Sequence, residues 1–211
     1  MFGPRGSADV LGIDPGLSRC GYGAVRREGT TVLAISYGVI RTPPGDPLAT
    51  RLAALEAELE SLVGELRPAA VAVERVLFQA NVRTAMSVGQ ASGLALAVAA
   101  RAGTAVAHYS PNEVKLAVTG YGAADKVQVQ QMVARLLGLP EPPRPPDAAD
   151  ALALALCHAW SGAHRAAAEG AAPGGGFERA VAAALAKERS EAPPGEAARA
   201  GAGATRAKEQ R

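Results

Sequence analysis

Four carboxylates occupy positions for which a folding chain has little structural use. Asp14 closes the apolar run of "DVLGIDPG", and Glu74 closes that of "AAVAVE". Asp147 and Asp150 open "DAADALALAL"; three residues apart, they share one face of the first turn of a helix. Carboxylates gathered in one cleft repel, and they stay ionised at neutral pH only around a cation. All-oxygen donors select hard ions, Mg²⁺ or Mn²⁺, over zinc. Two such ions about 3.5–4 Å apart clamp an in-line displacement at phosphorus, one activating a water and the other stabilising the leaving oxygen. That chemistry requires no histidine base. Taken singly, each acid has a structural reading: Asp14 as a turn residue before Pro15-Gly16, Asp147 as a helix cap, Asp150 as a partner of the helix dipole. Together, two strand-terminal acids and an acidic helix start are harder to explain as caps.

The elements that must position these residues alternate. Val10–Asp14, Gly21–Arg26 and Val32–Ile40 read as three strands, with "REGT" as a hairpin turn between the last two. "PPGDP" then breaks the chain. Leu48, Leu52, Leu55, Leu59, Leu62 and Leu66 recur at helical spacing, and Pro68 ends that helix. "AAVAVE" is a fourth, buried strand. A long helix over Asn81–Ala102 leads to a fifth strand, Thr104–His108. Helices follow over Asn112–Val118 and Ala124–Leu137, and after the stiff "PEPPRPP" a last one over Asp147–Trp160. The pattern predicts an α/β fold: a mixed five-stranded sheet flanked by helices, with a meander first and crossover helices later. Sites in such sheets gather at the carboxyl ends of strands. If the strands of Asp14 and Glu74 are neighbours, both acids open at one edge.

The organisation is one domain over residues 9–162, preceded by a loose extension over 1–8. It is followed over 163–211 by an Ala/Gly/Pro-rich tail that reads as disordered, with room for a short helix around Phe177 to Arg189. Residues 1–162 carry 14 basic and 14 acidic side chains, so any polyanion must meet a local patch rather than a generally basic surface. Cys20 and Cys157 belong to no paired spacing, which argues against a disulfide framework or a zinc site and for a reducing cytosol. "MFGPRGSA" lacks the apolar core of a secretory signal, and no run approaches the ~20 residues of a membrane span. A soluble, cytoplasmic protein is expected.

"GIDPG…GYG", "VAVERV", "VKLAVTGYGAADKVQVQQMV" and "DAADALALAL" resemble, in order and spacing, the RuvC family of Holliday junction resolvases. The resemblance runs from about Val10 to Trp160. It implies an RNase H-like fold and an Mg²⁺-dependent endonuclease, with two ions per site and Mn²⁺ as a substitute. On this resemblance Asp14, Glu74, Asp147 and Asp150 are both catalytic residues and metal ligands. The family acts as a homodimer on a four-way DNA junction, nicks two strands of like polarity symmetrically, and works with the RuvA–RuvB branch-migration machinery at the nucleoid. Lys115 of "EVK" and Lys126 of "DK" match lysines that work on DNA. The family also places an aromatic three residues after the glutamate, at the junction bases. This chain has Leu77 there and Phe78 next, so either the contact moves to Phe78 or an aliphatic side chain replaces it.

Arg75 and Arg83 fall in segments adjacent to the expected cleft, where they would neutralise phosphates with Lys115 and Lys126 or remain ordinary solvated charges. Gly89 and Gly93 allow close helix contact, either with the protein's own sheet or across a dimer interface. His108 closes a strand with no assigned role, and Trp160 is expected to pack. Two other classes compete. An ATP-binding fold of the sugar kinase and actin type can open with Gly-Ile-Asp-x-Gly, but it needs a second similar half, and no second copy appears. A DNA-binding scaffold without catalysis would be expected to have lost one or more of the four acids.

Overall fold

In the computed structural model, residues 7–75 and 82–168 are described, the side chains of 82–84 and 162–168 excepted. Leu77, Phe78 and the tail segment around Phe177 to Arg189 lie outside the described residues.

Five strands form one sheet: β1 (Val10–Asp14), β2 (Arg19–Glu28), β3 (Thr31–Arg41), β4 (Ala70–Glu74) and β5 (Ala105–Tyr109), in the order β3-β2-β1-β4-β5. β1, β2 and β3 pair antiparallel as a meander, whereas β1, β4 and β5 run parallel. The helices are α1 (Leu48–Leu66), α2 (Val82–Arg101), α3 (Pro111–Thr119), α4 (Lys126–Leu136) and α5 (Pro146–Ala168).

Alternation along the strands divides the core in two. Leu11, Ile13, Val71 and Val73 pack with Leu55, Leu59 and Leu66 of α1 and Ala95, Val98 and Ala99 of α2. Val10, Val25 and Ala72 face the other way, onto Val114, Val118, Val133 and the leucines of α5. Both cysteines are buried and unbridged, and Trp160 packs against the second cluster.

Element boundaries shift from those expected for local reasons. β2 and β3 are longer because the hairpin is tight: the pairing runs to Glu28 and Thr31, and Gly29 takes φ 63° between them. α1 ends on Arg67 in the left-handed conformation, one residue before Pro68. α3 and α4 start where capping boxes place them, Ser110 with Glu113 and Asp125 with Gln128. β5 runs one residue beyond His108, which is exposed near the open edge of the sheet. α5 continues to Ala168, into the stretch expected to be tail.

Candidate active site

β1 and β4 are parallel neighbours in register up to Ile13 opposite Val73, so Asp14 and Glu74 follow side by side at their carboxyl ends. Both project from the face that α5 covers. What brings α5 there is a lane of missing side chains. Gly12 and Gly23 are cross-strand partners, and Gly21 is partnered with Asp14. A Cβ on Gly12 would stand 2.0 Å from the Ala151 carbonyl oxygen, and one on Gly21 would stand 2.1 Å from that of Asp147. The helix backbone therefore lies directly on the sheet. Ala148, Ala149, Ala151, Leu152, Ala153, Leu154, Ala155 and Leu156 are all buried, as befits a helix covered on every side. Its first turn delivers Asp147 and Asp150 beside Asp14.

A cleft of about 170 Å³ opens at this point, lined by Asp14, Glu74 and Asp150 with Lys115 of α3 and Lys126 of α4. Lys126 Nζ lies 3.5 Å from Asp150 Oδ2. Asp147 stands at the margin, its carboxylate held by the Arg19 guanidinium. Arg75, one residue beyond Glu74, is exposed; its backbone N–H donates to the Tyr109 carbonyl at 2.8 Å, and its charge bears on His108 rather than on the cleft. Arg83 is in the first turn of α2, with its side chain outside the described residues. His158, neighbour of Cys157, shares a 2.8 Å hydrogen bond between its Nδ1 and the Tyr109 hydroxyl.

The charge balance of the cleft is acidic. Burial, then the carboxylates of Glu74, Asp150 and Asp147, push the Asp14 carboxyl up to about 7. Burial and Asp150 raise Glu74, against the pull of Lys126 and a hydrogen bond with Asp14. Burial raises Asp150, opposed mainly by Lys126. Among the described residues no three Asp, Glu, His or Cys side chains stand close enough, as placed, to hold one ion. The donor set nevertheless fits a hard divalent cation in its chemistry. All donors are carboxylate oxygens, they are short of positive charge, and a cation is what would let Asp14 ionise at neutral pH.

Residues 10–158 match the family described as Crossover junction endodeoxyribonuclease RuvC. The chain belongs to the RuvC family. It is 58% identical over 172 residues to the protein of that name from Salinispora arenicola, covering 79% of this chain and 98% of that one. With the one from Leifsonia xyli it shares 54% identity over 194 residues, covering 87% and 93%. A solved structure described as Thermus thermophilus RuvC in complex with Holliday junction substrate superposes with a TM-score of 0.70 at 40% identity, covering 72% of this chain and 93% of that chain. The chain is thus an endonuclease on the RNase H-like mixed sheet, in a family of metal-dependent nucleases. No helix among the described residues is long and apolar enough to cross a membrane.

The expected carboxylates reach one end of the sheet. Asp14, Glu74 and Asp150 line the cleft with both expected lysines, and Asp147 faces Arg19 at its margin. Arg19 was not among the expected site residues. The strand expected from the sequence began at Gly21, two residues past it, so only the observed start of β2 brings Arg19 to the site.

Proposed function

We propose that this RuvC-family nuclease resolves four-way (Holliday) DNA junctions by paired symmetric nicks in recombination and repair, with Asp14, Glu74, Asp147 and Asp150 as its catalytic carboxylates and metal ligands. The observation that carries this reading is the convergence of Asp14, Glu74 and Asp150 with two lysines in one cleft, where burial first and then the neighbouring carboxylates push the Asp14 carboxyl up to about 7. A core helix does not ordinarily bring ionisable groups together at such cost unless a cation is to join them.

Two Mg²⁺ ions, with Mn²⁺ as a substitute, would supply the activated water and the charge that stabilises the leaving oxygen. The residues do the rest. The lane of glycines holds α5 against β1 and β2, and so fixes Asp147 and Asp150 relative to Asp14. Glu74, from the neighbouring strand, sets the other side of the ligand set. Lys115 and Lys126 meet DNA phosphates, and Lys126 exchanges its hold on Asp150 for that contact. Arg75, Arg83 and Phe78, or Leu77 in its place, extend the DNA contact beyond the cleft.

The two-fold substrate calls for two active sites, hence a homodimer. Gly89 and Gly93 of α2 are exposed, and nothing lies within 4 Å of where their Cβ atoms would be. Met86, on the same side of the helix, is 61% exposed. The opposite face, with Ala91, Ala95, Val98 and Ala99, packs on the sheet. This favours a second subunit, rather than the protein's own sheet, as the neighbour of these glycines. The enzyme would work with RuvA–RuvB in the cytoplasm, at the nucleoid, using the domain over residues 9–162 and without need of the tail over 163–211.

Asp14→Asn tests the assignment. Cleavage of a labelled four-way junction should be lost, with junction binding retained and the stabilisation by Mg²⁺ in thermal unfolding reduced. Loss of binding together with cleavage would make Asp14 a folding residue and overturn the reading.

A further inference from the structure

The end of the sheet that carries Asp14 also carries arginines that the proposed mechanism does not use. Arg19 opens β2, Arg41 closes β3, and the two are directly opposed in the antiparallel ladder. Opposed residues project from the same face with Cβ atoms about 4.5–5.5 Å apart. That face is the one α5 covers, because Gly21 and Gly23, two and four residues along from Arg19, lie against α5 and Arg19 reaches Asp147. Like charges opposed in a ladder are destabilising. Asp147 relieves Arg19, but Arg41 is exposed and no described side chain neutralises it.

The backbone beneath the two arginines is locked by a third. Arg51 of α1 donates from Nη2 to Ser18 Oγ at 2.6 Å and from Nε to Thr42 Oγ1 at 3.0 Å. Thr42, itself buried, donates from Oγ1 to the Leu17 carbonyl at 2.5 Å and from its backbone N–H to that of Ser18 at 3.3 Å. Ser18 and Thr42 are the residues immediately outside Arg19 and Arg41. The fold thus sets two arginines opposite each other on β2 and β3, at the end of the sheet that carries Asp14, with the Arg19 guanidinium on Asp147. Lys115 and Lys126 line the cleft from helices that follow β5.

We propose that Arg19 and Arg41 form a phosphate-binding pair that takes the DNA backbone on the β2–β3 side of the cleft, opposite Lys115 and Lys126, with Arg51 as the residue that positions them. A guanidinium has five donors, so Arg19 can keep Asp147 and still bind a phosphate oxygen. The inference rests on the reading that the cleft takes a DNA strand. Its ligand is the phosphodiester backbone, whatever the base sequence.

The test is the salt dependence of junction binding in EDTA, where no strand is cut, for wild type, Arg19→Gln and Arg41→Gln. Each phosphate contact removed should flatten the slope of log affinity against log salt by about 0.9, so that the affinity lost between 50 and 200 mM salt becomes about 3.5-fold smaller per contact. Arg41→Gln should leave thermal stability unchanged or raise it, since it relieves a like-charge pair. Arg41→Gln and Arg19→Gln proteins that are folded and keep the wild-type slope would overturn the pair while leaving the nuclease reading intact. A wild-type protein that fails to bind the junction would overturn both.

Discussion

Gly12→Ala asks whether the seat of α5 sets the geometry of the site. A Cβ at position 12 would stand 2.0 Å from the Ala151 carbonyl oxygen and 2.8 Å from the Ala155 nitrogen. Both are backbone atoms of a helix buried on all sides, so no rotamer change relieves the clash. Ordinary contact begins near 3.4 Å, so α5 must retreat by about 1.4 Å. Asp147 and Asp150 lie within a turn of Ala151 on the same rigid helix and must move with it. Overpacking of this kind costs about 1–3 kcal/mol, and misplacing catalytic groups by about 1 Å costs about 10²-fold in rate. For a domain of this size such destabilisation lowers the melting temperature by about 3–10 °C. Single-turnover cleavage of a labelled junction, with thermal unfolding beside it, reads both effects. Gly64→Ala is the control. Gly64 is exposed within α1 with nothing within 4 Å of its Cβ position, so alanine should add about 0.5–1 kcal/mol and leave the rate alone. A Gly12→Ala protein that cuts and melts like wild type would refute the seat.

The metal-free protein should lose stability as pH rises from about 4 through 7. Asp14, and with it Glu74 and Asp150, titrates above its ordinary value, so the folded state holds protons that the unfolded chain has already released. If Mg²⁺ binds the ionised acids, as proposed, its stabilising shift in thermal unfolding should be large at pH 8 and small at pH 5; equal shifts at both would contradict the ligand assignment. If the proposed dimer forms across α2, Gly89→Leu or Gly93→Leu should convert it to a monomer in sedimentation without unfolding it, because leucine is the better helix former and the position is open; a persistent dimer would remove α2 from the interface.

Sequence patterning exposed the carboxylates because their placement is anomalous locally: an acid ending an apolar strand is visible without any tertiary knowledge. The expected helix over Leu48–Leu66 matches α1 because the leucines recur at one period and Pro47 and Pro68 bracket them. The pairings that organise the site were hidden for the opposite reason. Arg19 and Asp147 are 128 residues apart, and nothing near either one marks the other. Arg41 looks like an ordinary strand-end cation until the register sets it across from Arg19. The glycines of "GID" and "GYG" were legible as a motif, yet their work consists of side chains that are not there. It becomes visible only when α5 is seen to fill the space.

These hidden features also bear on how a domain without excess positive charge can hold a polyanion. Carboxylates at the bottom of a cleft repel DNA at the point where it must come closest. Cations are therefore needed beside the acids, not merely elsewhere on the surface. On the proposed reading Lys126 meets that need on one flank, where its charge pulls Asp14, Glu74 and Asp150 downward. On the other flank Arg19 already faces Asp147, and Arg41 adds a charge that the free protein would be better without. Stability alone gives no reason to set Arg41 opposite Arg19; an approaching phosphate does, because it turns the like-charge cost into a shared contact.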